Sequence, residues 1–285
     1  MIDSTEWYVG EPPSQLRCRT HRLPDREAVP VIMIHGGSQT SECWTHTPDG
    51  RPGWAAQFLD RGYEVTLVDY IDIGREYPKL DRGPEEVLDG IGLILQETGP
   101  AVVVGHSIGG ALGIKAVERW PGLVRSVVLA APAPVEVRNP DVLEAAPGVL
   151  VKMSREVARH HVAGSPRFPD EWFDTWYAGI VSYSPVLRNA GAGVTGELRI
   201  DPAKTGVWRT TPTLFVLAEH DRTVSVSAGR ATARAIGVEP VRLDHDWGLP
   251  GHGHMFILEE GSESIADRVL DWLQSVTHGE KVTAK

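Results

Sequence analysis

The stretch VVVGHSIGG, residues 102–110, runs three valines into a serine with a glycine two positions away on either side. Valine runs belong to strands buried on both faces. The residues after the serine, IGGALGIKAVERW (108–120), read as a helix. Strand, sharp turn and helix are the setting that the pattern G-x-S-x-G requires. It holds the serine in a strained backbone conformation at the end of the strand, with its hydroxyl presented outward. Side chains at 105 and 109 would crowd that turn, and glycine removes them. The helix start adds positive partial charge beside Ser107. The plainer alternative is a glycine-rich turn with a capping serine.

Working outward, short β-branched runs recur: VPVIMIHG (29–36), EVTLVDY (64–70), AVVVGHS (101–107), VRSVVLAAP (124–132), TPTLFVLAEHD (211–221) and EPVRLDHDW (239–247). Helical patterns separate them, among them PGWAAQFLDRG (52–62), EEVLDGIGLILQETG (85–99) and SESIADRVLDWLQSV (262–276). Gly62, Gly99 and Pro121-Gly122 mark helix ends. Alternation of this kind predicts a mostly parallel central sheet flanked by helices, an α/β fold. It lapses between residues 133 and 209, where prolines accumulate and LEAAPGVLVKMSREVARHHV (143–162) and PDEWFDTWYAG (169–179) are helix-like. The expected division is a core of residues 1–132 and 210–285 with a mainly helical insertion over 133–209. The tail HGEKVTAK (278–285) is expected to fray.

The 285 residues carry 41% apolar and 23% charged side chains, enough for a large core without a staple. A net charge of −10 with no basic run argues against a nucleic-acid partner. Two cysteines, Cys18 and Cys43, make neither a disulfide framework nor a zinc site. No apolar run is long enough to span a bilayer, and the first residues do not resemble a signal peptide, so a cytoplasmic location is expected. GHSIGG has neither the lysine of a phosphate loop nor dinucleotide glycine spacing, so no cofactor and no metal are expected.

A serine hydroxyl needs a base, and the base needs an orienting carboxylate. In this strand–turn–helix setting the chain order is serine, acid, histidine. His254 and His252 lie in LPGHGHMFILEE (249–260), between the last strand and the last helix. His254, directly before an apolar run, is preferred, with His252 as the alternative. Asp221 ends the strand run LFVLAEHD and is preferred as the acid over Glu219, Asp244 and Asp246; its plainer role is a turn cap. An oxyanion formed at the site needs two N–H donors. They are assigned to Ile108, which follows the serine, and to Gly37 in the loop His35-Gly36-Gly37.

Together these residues resemble the α/β-hydrolase superfamily: HGG at 35–37, GHSIGG at 105–110, the Asp221 strand end and GHGHM at 251–255, in that order. A narrower similarity, to a bacterial and fungal esterase-like branch, rests on TPDGRPGW (47–54) and GLPGHGHMFILEEGSESIADRVLDWL (248–273). The resemblance implies the α/β-hydrolase fold, with the 133–209 insertion as a cap over Ser107. Trp172, Trp176 and Tyr177 of that cap either bind substrate or dock the cap on the core. Some members of the branch take their acid as Glu after the strand that follows the nucleophile helix; Ala131 stands there, leaving Glu136 as a weaker alternative to Asp221. The paired cysteines of one branch member's oxyanion loop are absent. In DYIDIGREYP, Asp72 and Glu76 flank Gly74 where relatives are small.

The expected activity is hydrolysis of a carboxylic ester or lactone through an acyl-serine, with a small apolar ester-like substrate as the partner and a homodimer as the protein assembly to test. Carbon–carbon bond hydrolysis, lyase or cyclase chemistry on the same triad, and ligand sensing on the same scaffold are the alternatives.

Overall fold

A computed structural model describes residues 2–24, 28–71, 79–138 and 142–279. Among the described residues eight strands form one sheet: β1 (Asp3–Val9), β2 (Leu16–Arg22), β3 (Pro30–Ile34), β4 (Glu64–Asp69), β5 (Ala101–His106), β6 (Val124–Ala130), β7 (Thr213–Leu217) and β8 (Val241–Arg242). Their spatial order is β1-β2-β4-β3-β5-β6-β7-β8. From β4 to β8 every pairing is parallel, while β1 and β2 form an antiparallel hairpin paired to β4.

The helices are α1 (Trp54–Asp60), α2 (Pro84–Thr98), α3 (Ile108–Arg119), α4 (Arg155–Val157), α5 (Phe173–Ala178), α6 (Pro185–Gly191), α7 (Val226–Ala235), α8 (Leu243–Asp246) and α9 (Ser262–Gly279). Strand alternation divides the core into two layers. Val31 and Met33 of β3 face α1 and α9, and Ile32 and Ile34 face α2 and α3. Every residue of β5 is buried, which is why its sequence is a continuous apolar run and not an alternating one. α3 is buried along most of its length, and its Lys115 and Glu118 meet each other at 2.5 Å. Lys115 also donates to the Arg199 carbonyl at 2.9 Å, so these inward charges are paired.

Three expectations need correction. The run 239–247 is a strand only over Val241–Arg242; Leu243–Asp246 turns into helix because Asp246 Oδ2 accepts the Arg242 N–H at 2.8 Å and closes the turn. The run 143–162 is helical only from Arg155 on, where Ser154 accepts the Val157 N–H as an N-cap; the segment continues as a π-helical turn over Ala158–Val162. The β1–β2 hairpin adds strands where the valine-rich criterion finds none. Among residues 133–209, short helices such as α4, α5 and α6 follow β6 and precede β7. Residues Asp72, Gly74 and Glu76 and the tail beyond 279 lie outside the described residues.

Candidate active site

The parallel strands all end on one edge of the sheet, and the loops there hold the chemistry-bearing side chains. The three non-glycine residues with positive φ, among those described, sit at three such ends: Ser38 (58°), Ser107 (54°) and Ala131 (43°). L-residues adopt that region at a cost, so each is held by its surroundings. Ser107 donates its N–H to Ala130 O at 3.1 Å, and its carbonyl accepts from Gly110, Ala111 and Ala133. Its backbone is thereby clamped between the ends of β5 and β6 and the first turn of α3.

The two glycines of the turn are set by crowding. A Cβ at 105 would be driven into the carbonyl of Gly109, lying 2.6 Å from its carbon. A Cβ at 109 would be driven into the Ile34 carbonyl oxygen and would stand 2.5 Å from that of His35. α3 therefore touches the end of β3 backbone to backbone, which brings Ile108 beside the His35–Gly37 loop.

The structure brings Ser107, His254 and Asp221 together although 33 residues separate His254 from Asp221 and 147 separate it from Ser107. Ser107 Oγ lies 3.0 Å from His254 Nε2, and His254 Nδ1 lies 2.8 Å from Asp221 Oδ2. The other oxygen of Asp221 accepts N–H groups from Thr223 and Val224, each at 2.7 Å. That fixes the carboxylate plane, so the orienting and turn-capping readings of Asp221 coexist. Ser107 is 8% exposed, His254 3% and Asp221 6%.

His252 and Glu136, the alternatives, are engaged elsewhere. His252 Nδ1 is 3.0 Å from Glu259 Oε2 in a second, separate buried pair. Glu259 also accepts the Gly253 N–H on both oxygens, at 3.2 and 3.0 Å. Its carboxylate thus braces the residue just before His254, a role legible only in the fold. Glu136 accepts the Ile200 N–H at 2.8 Å. Glu219 forms an ion pair with Arg242. Among the described residues, no cluster of three or more His, Cys, Asp or Glu is arranged to hold a metal ion.

His254 also rests on His106. Its Nε2 lies 2.8 Å from the His254 carbonyl oxygen, and the two rings are 4.9 Å apart. Burial, aided by the neighbouring His254, pushes the His106 pKa down to about 3. A neutral His106 donates from Nε2, which leaves its Nδ1 as an acceptor without a partner among the described residues.

On the opposite side, the His35–Gly37 loop is anchored by Asp69 at the end of β4. Asp69 accepts the Ser41 N–H at 2.6 Å and the Ser41 hydroxyl at 2.9 Å. Tyr70 stacks on His35 at 4.1 Å and donates its hydroxyl to the His35 carbonyl at 2.8 Å. His35 thus braces the loop. Burial of the ring holds its pKa below the usual histidine range. Gly37 and Ile108 stand side by side, since a Cβ on Gly37 would meet Ile108 Cδ1 at 2.8 Å.

The segment TPDGRPGW is a brace. Arg51 reaches Asp49 at 2.7 Å and Glu263 of α9 at 2.6 Å, and its guanidinium lies 5.2 Å from the Trp172 ring centre. Gly53 passes so close to the Trp44 carbonyl that no Cβ fits. Trp172 and Trp176 gather around Phe168, and Tyr177 stacks on Phe173 with its hydroxyl donated to Met153 O at 2.9 Å. Trp176 and Phe173 belong to the same apolar cluster as Met255, Phe256 and Leu258. A cleft of about 430 Å³ lined by Arg159, His160, Ser165, Phe168 and Arg222 does not include Ser107 or His254.

A model of the alpha/beta hydrolase family matches residues 31–268, and the chain belongs to that family. It is 26% identical to a protein named Probable secreted lipase phiG from Fungal sp., covering 86% of this chain and 81% of that protein. It is 24% identical to the Monoacylglycerol lipase of Mycolicibacterium smegmatis, covering 86% of this chain and 88% of that one. Among solved structures, carboxylesterase CesB of Bacillus subtilis superposes with a TM-score of 0.66 at 19% identity, over 95% of this chain and 92% of that one.

Proposed function

We propose that this protein is a serine hydrolase of carboxylic esters that works through an acyl-enzyme on Ser107. The observation that carries the reading is the hydrogen-bonded line Ser107–His254–Asp221 at 3.0 and 2.8 Å on a strained turn. The lipases and the esterase to which the chain is similar support ester chemistry over the carbon–carbon and non-hydrolytic alternatives.

His254 takes the Ser107 proton at Nε2 as Oγ attacks the ester carbonyl. Asp221, accepting from Nδ1–H, holds the required tautomer and stabilises the imidazolium. The tetrahedral oxygen carries the developing negative charge toward the N–H groups of Gly37 and Ile108. His254 then protonates the departing alcohol, and a water activated by the same histidine releases the acid.

The cap is residues 133–209, and the core is the rest. In this reading that cap covers Ser107, which is 8% exposed. The substrate in this reading is a small apolar ester. Among the described residues no helix is long and apolar enough to cross a membrane. The cytoplasmic location expected from the sequence stands against the name of the fungal relative, and fractionation of the producing cell decides it.

Hydrolysis of p-nitrophenyl esters of graded acyl length, wild type beside Ser107→Ala, tests the reading. Turnover by the wild type that vanishes in the variant supports it. Turnover that survives in Ser107→Ala refutes it.

A further inference from the structure

Gly37 is crowded from a direction that the loop itself does not explain. A Cβ placed there would stand 2.8 Å from Ile108 Cδ1 and also 2.8 Å from the hydroxyl of Tyr183, a cap residue. The cap thus delivers a phenol to the pair of residues assigned as oxyanion donors.

The delivery is rigid. Val181 donates its N–H to Ser38 O at 2.9 Å, so the cap chain is bonded to the oxyanion loop two residues before Tyr183. Tyr183 exchanges both backbone hydrogen bonds with Val151, at 2.9 and 3.0 Å. One residue later, the Ser184 hydroxyl donates to Leu80 O at 3.0 Å and accepts the Val186 N–H to cap α6. α6 itself presses on Ile108, because a Cβ at Gly191 would stand 2.5 Å from Ile108 Cδ1.

The backbone of Tyr183 is thus used on both sides, whereas its hydroxyl has no hydrogen-bond partner among the described residues and is not among the fully buried unpaired atoms, so it is open to a ligand oxygen. The ring lines a small cleft with Tyr70, Ile71, Leu150 and Leu187. Burial pushes the phenol up to about 12, so it keeps its proton and remains a donor at neutral pH. A donor that the protein leaves unmatched can exchange its water for an acceptor that a ligand supplies.

We infer that the Tyr183 hydroxyl is a third, cap-borne donor to the carbonyl oxygen of the bound ester. It stabilises the oxyanion beside the Gly37 and Ile108 N–H groups. The inference rests on the ester-hydrolase reading. It makes Tyr183 a catalytic residue, and it makes full activity depend on a seated cap: with the cap displaced, two donors remain.

Tyr183→Phe keeps the ring and removes only the hydroxyl. The assay is kcat and KM for p-nitrophenyl butyrate, normalised to sites titrated with a p-nitrophenyl alkylphosphonate, whose phosphoryl oxygen occupies the oxyanion position. Normalisation removes any loss due to misfolded protein. The expected result is a fall in kcat per site of about tenfold or more, with KM within about twofold. Phosphonylation of Ser107 should slow by a similar factor. An unchanged kcat, or a loss confined to KM, overturns the inference. Ser107→Ala separates the two failures. If Ser107→Ala is inert and Tyr183→Phe matches the wild type, the ester-hydrolase reading stands and the role of Tyr183 falls. If Ser107→Ala still turns over, the underlying reading falls first.

Discussion

Gly109→Ala sets two expectations against each other. In a helix with open space, replacing glycine by alanine stabilises by about 0.5–1 kcal/mol, because alanine loses less backbone freedom on folding. The backbone at 109 is helical, so the added methyl itself is not strained. Its surroundings decide the sign. The methyl would be driven into the Ile34 carbonyl oxygen and stand 2.5 Å from that of His35 and 2.7 Å from the Ile34 carbon. Carbon–oxygen contacts settle near 3.3–3.6 Å, so backbone must move by roughly 1 Å. Neither side yields cheaply, since β3 is bonded to β4 and β5 on its two edges and α3 is buried along most of its length. Overpacking costs about 1–3 kcal/mol, and backbone against backbone belongs at the upper end. Three kcal/mol corresponds to a fall in Tm on the order of 10 °C for a domain of this size. The same movement carries Ser107 and the Ile108 N–H away from the His35–Gly37 loop. A misplacement near 1 Å can cost on the order of a hundredfold in rate, so activity measured well below Tm should fall further than stability predicts. Gly122→Ala is the matched control, with nothing within 4 Å of its Cβ. Thermal unfolding and ester hydrolysis of the two variants are compared side by side. The reasoning is refuted if Gly109→Ala matches Gly122→Ala in both.

Asp221→Asn should lower kcat by on the order of a thousandfold or more while leaving KM little changed, because an amide facing Nδ1 favours the wrong tautomer of His254. Glu259→Gln keeps an acceptor for the Gly253 N–H but loses the charge beside His252. It should lower Tm by several degrees and kcat less than Asp221→Asn does, as read by calorimetry and esterase assay. His106, with its folded pKa near 3 against 6.5 unfolded, binds a proton more readily in the unfolded chain between those values. Its contribution is fully present above about pH 6.5 and is lost as pH falls toward 3, amounting to a few kcal/mol by linkage. Urea unfolding from pH 4 to 8 should show a shallower acid-side decline in His106→Gln than in wild type.

What could be read from the chain follows from what makes each element local. β5, the turn and α3 were legible because burial on both faces writes itself as VVV and a backbone crossing writes itself as glycine at 105 and 109. β1 and β2 were not, because an edge hairpin is only partly buried: DSTEWYV is mostly exposed and LRCRTHR alternates, so neither carries an apolar run. Residues 243–246 look like the continuation of a strand. They leave it because Asp246 captures the Arg242 N–H, a contact that propensity does not encode. Ser107, Asp221 and His254 lie at strand ends or in the loop before the last helix, which the order of elements positions in sequence. Asp69, Glu259 and Tyr183 act through partners 28, 6 and roughly 146 residues away; nothing in their local sequence marks them, and only packing brings them in. The aromatic spacing at 172, 176 and 177 fits a helix face equally well whether it faces substrate or core. The contacts with Phe168 and Phe173 stay within residues 133–209, and Arg51 alone of these partners lies outside them.

The central claim is a covalent acyl group on Ser107. Wild-type protein turning over p-nitrophenyl butyrate, quenched in acid during the first turnovers, digested and analysed by mass spectrometry, tests it directly. A butyryl adduct on the peptide containing Gly105-His106-Ser107-Ile108-Gly109, absent from Ser107→Ala, is the predicted result. An adduct on another residue, or rapid wild-type turnover that persists in Ser107→Ala, would contradict it.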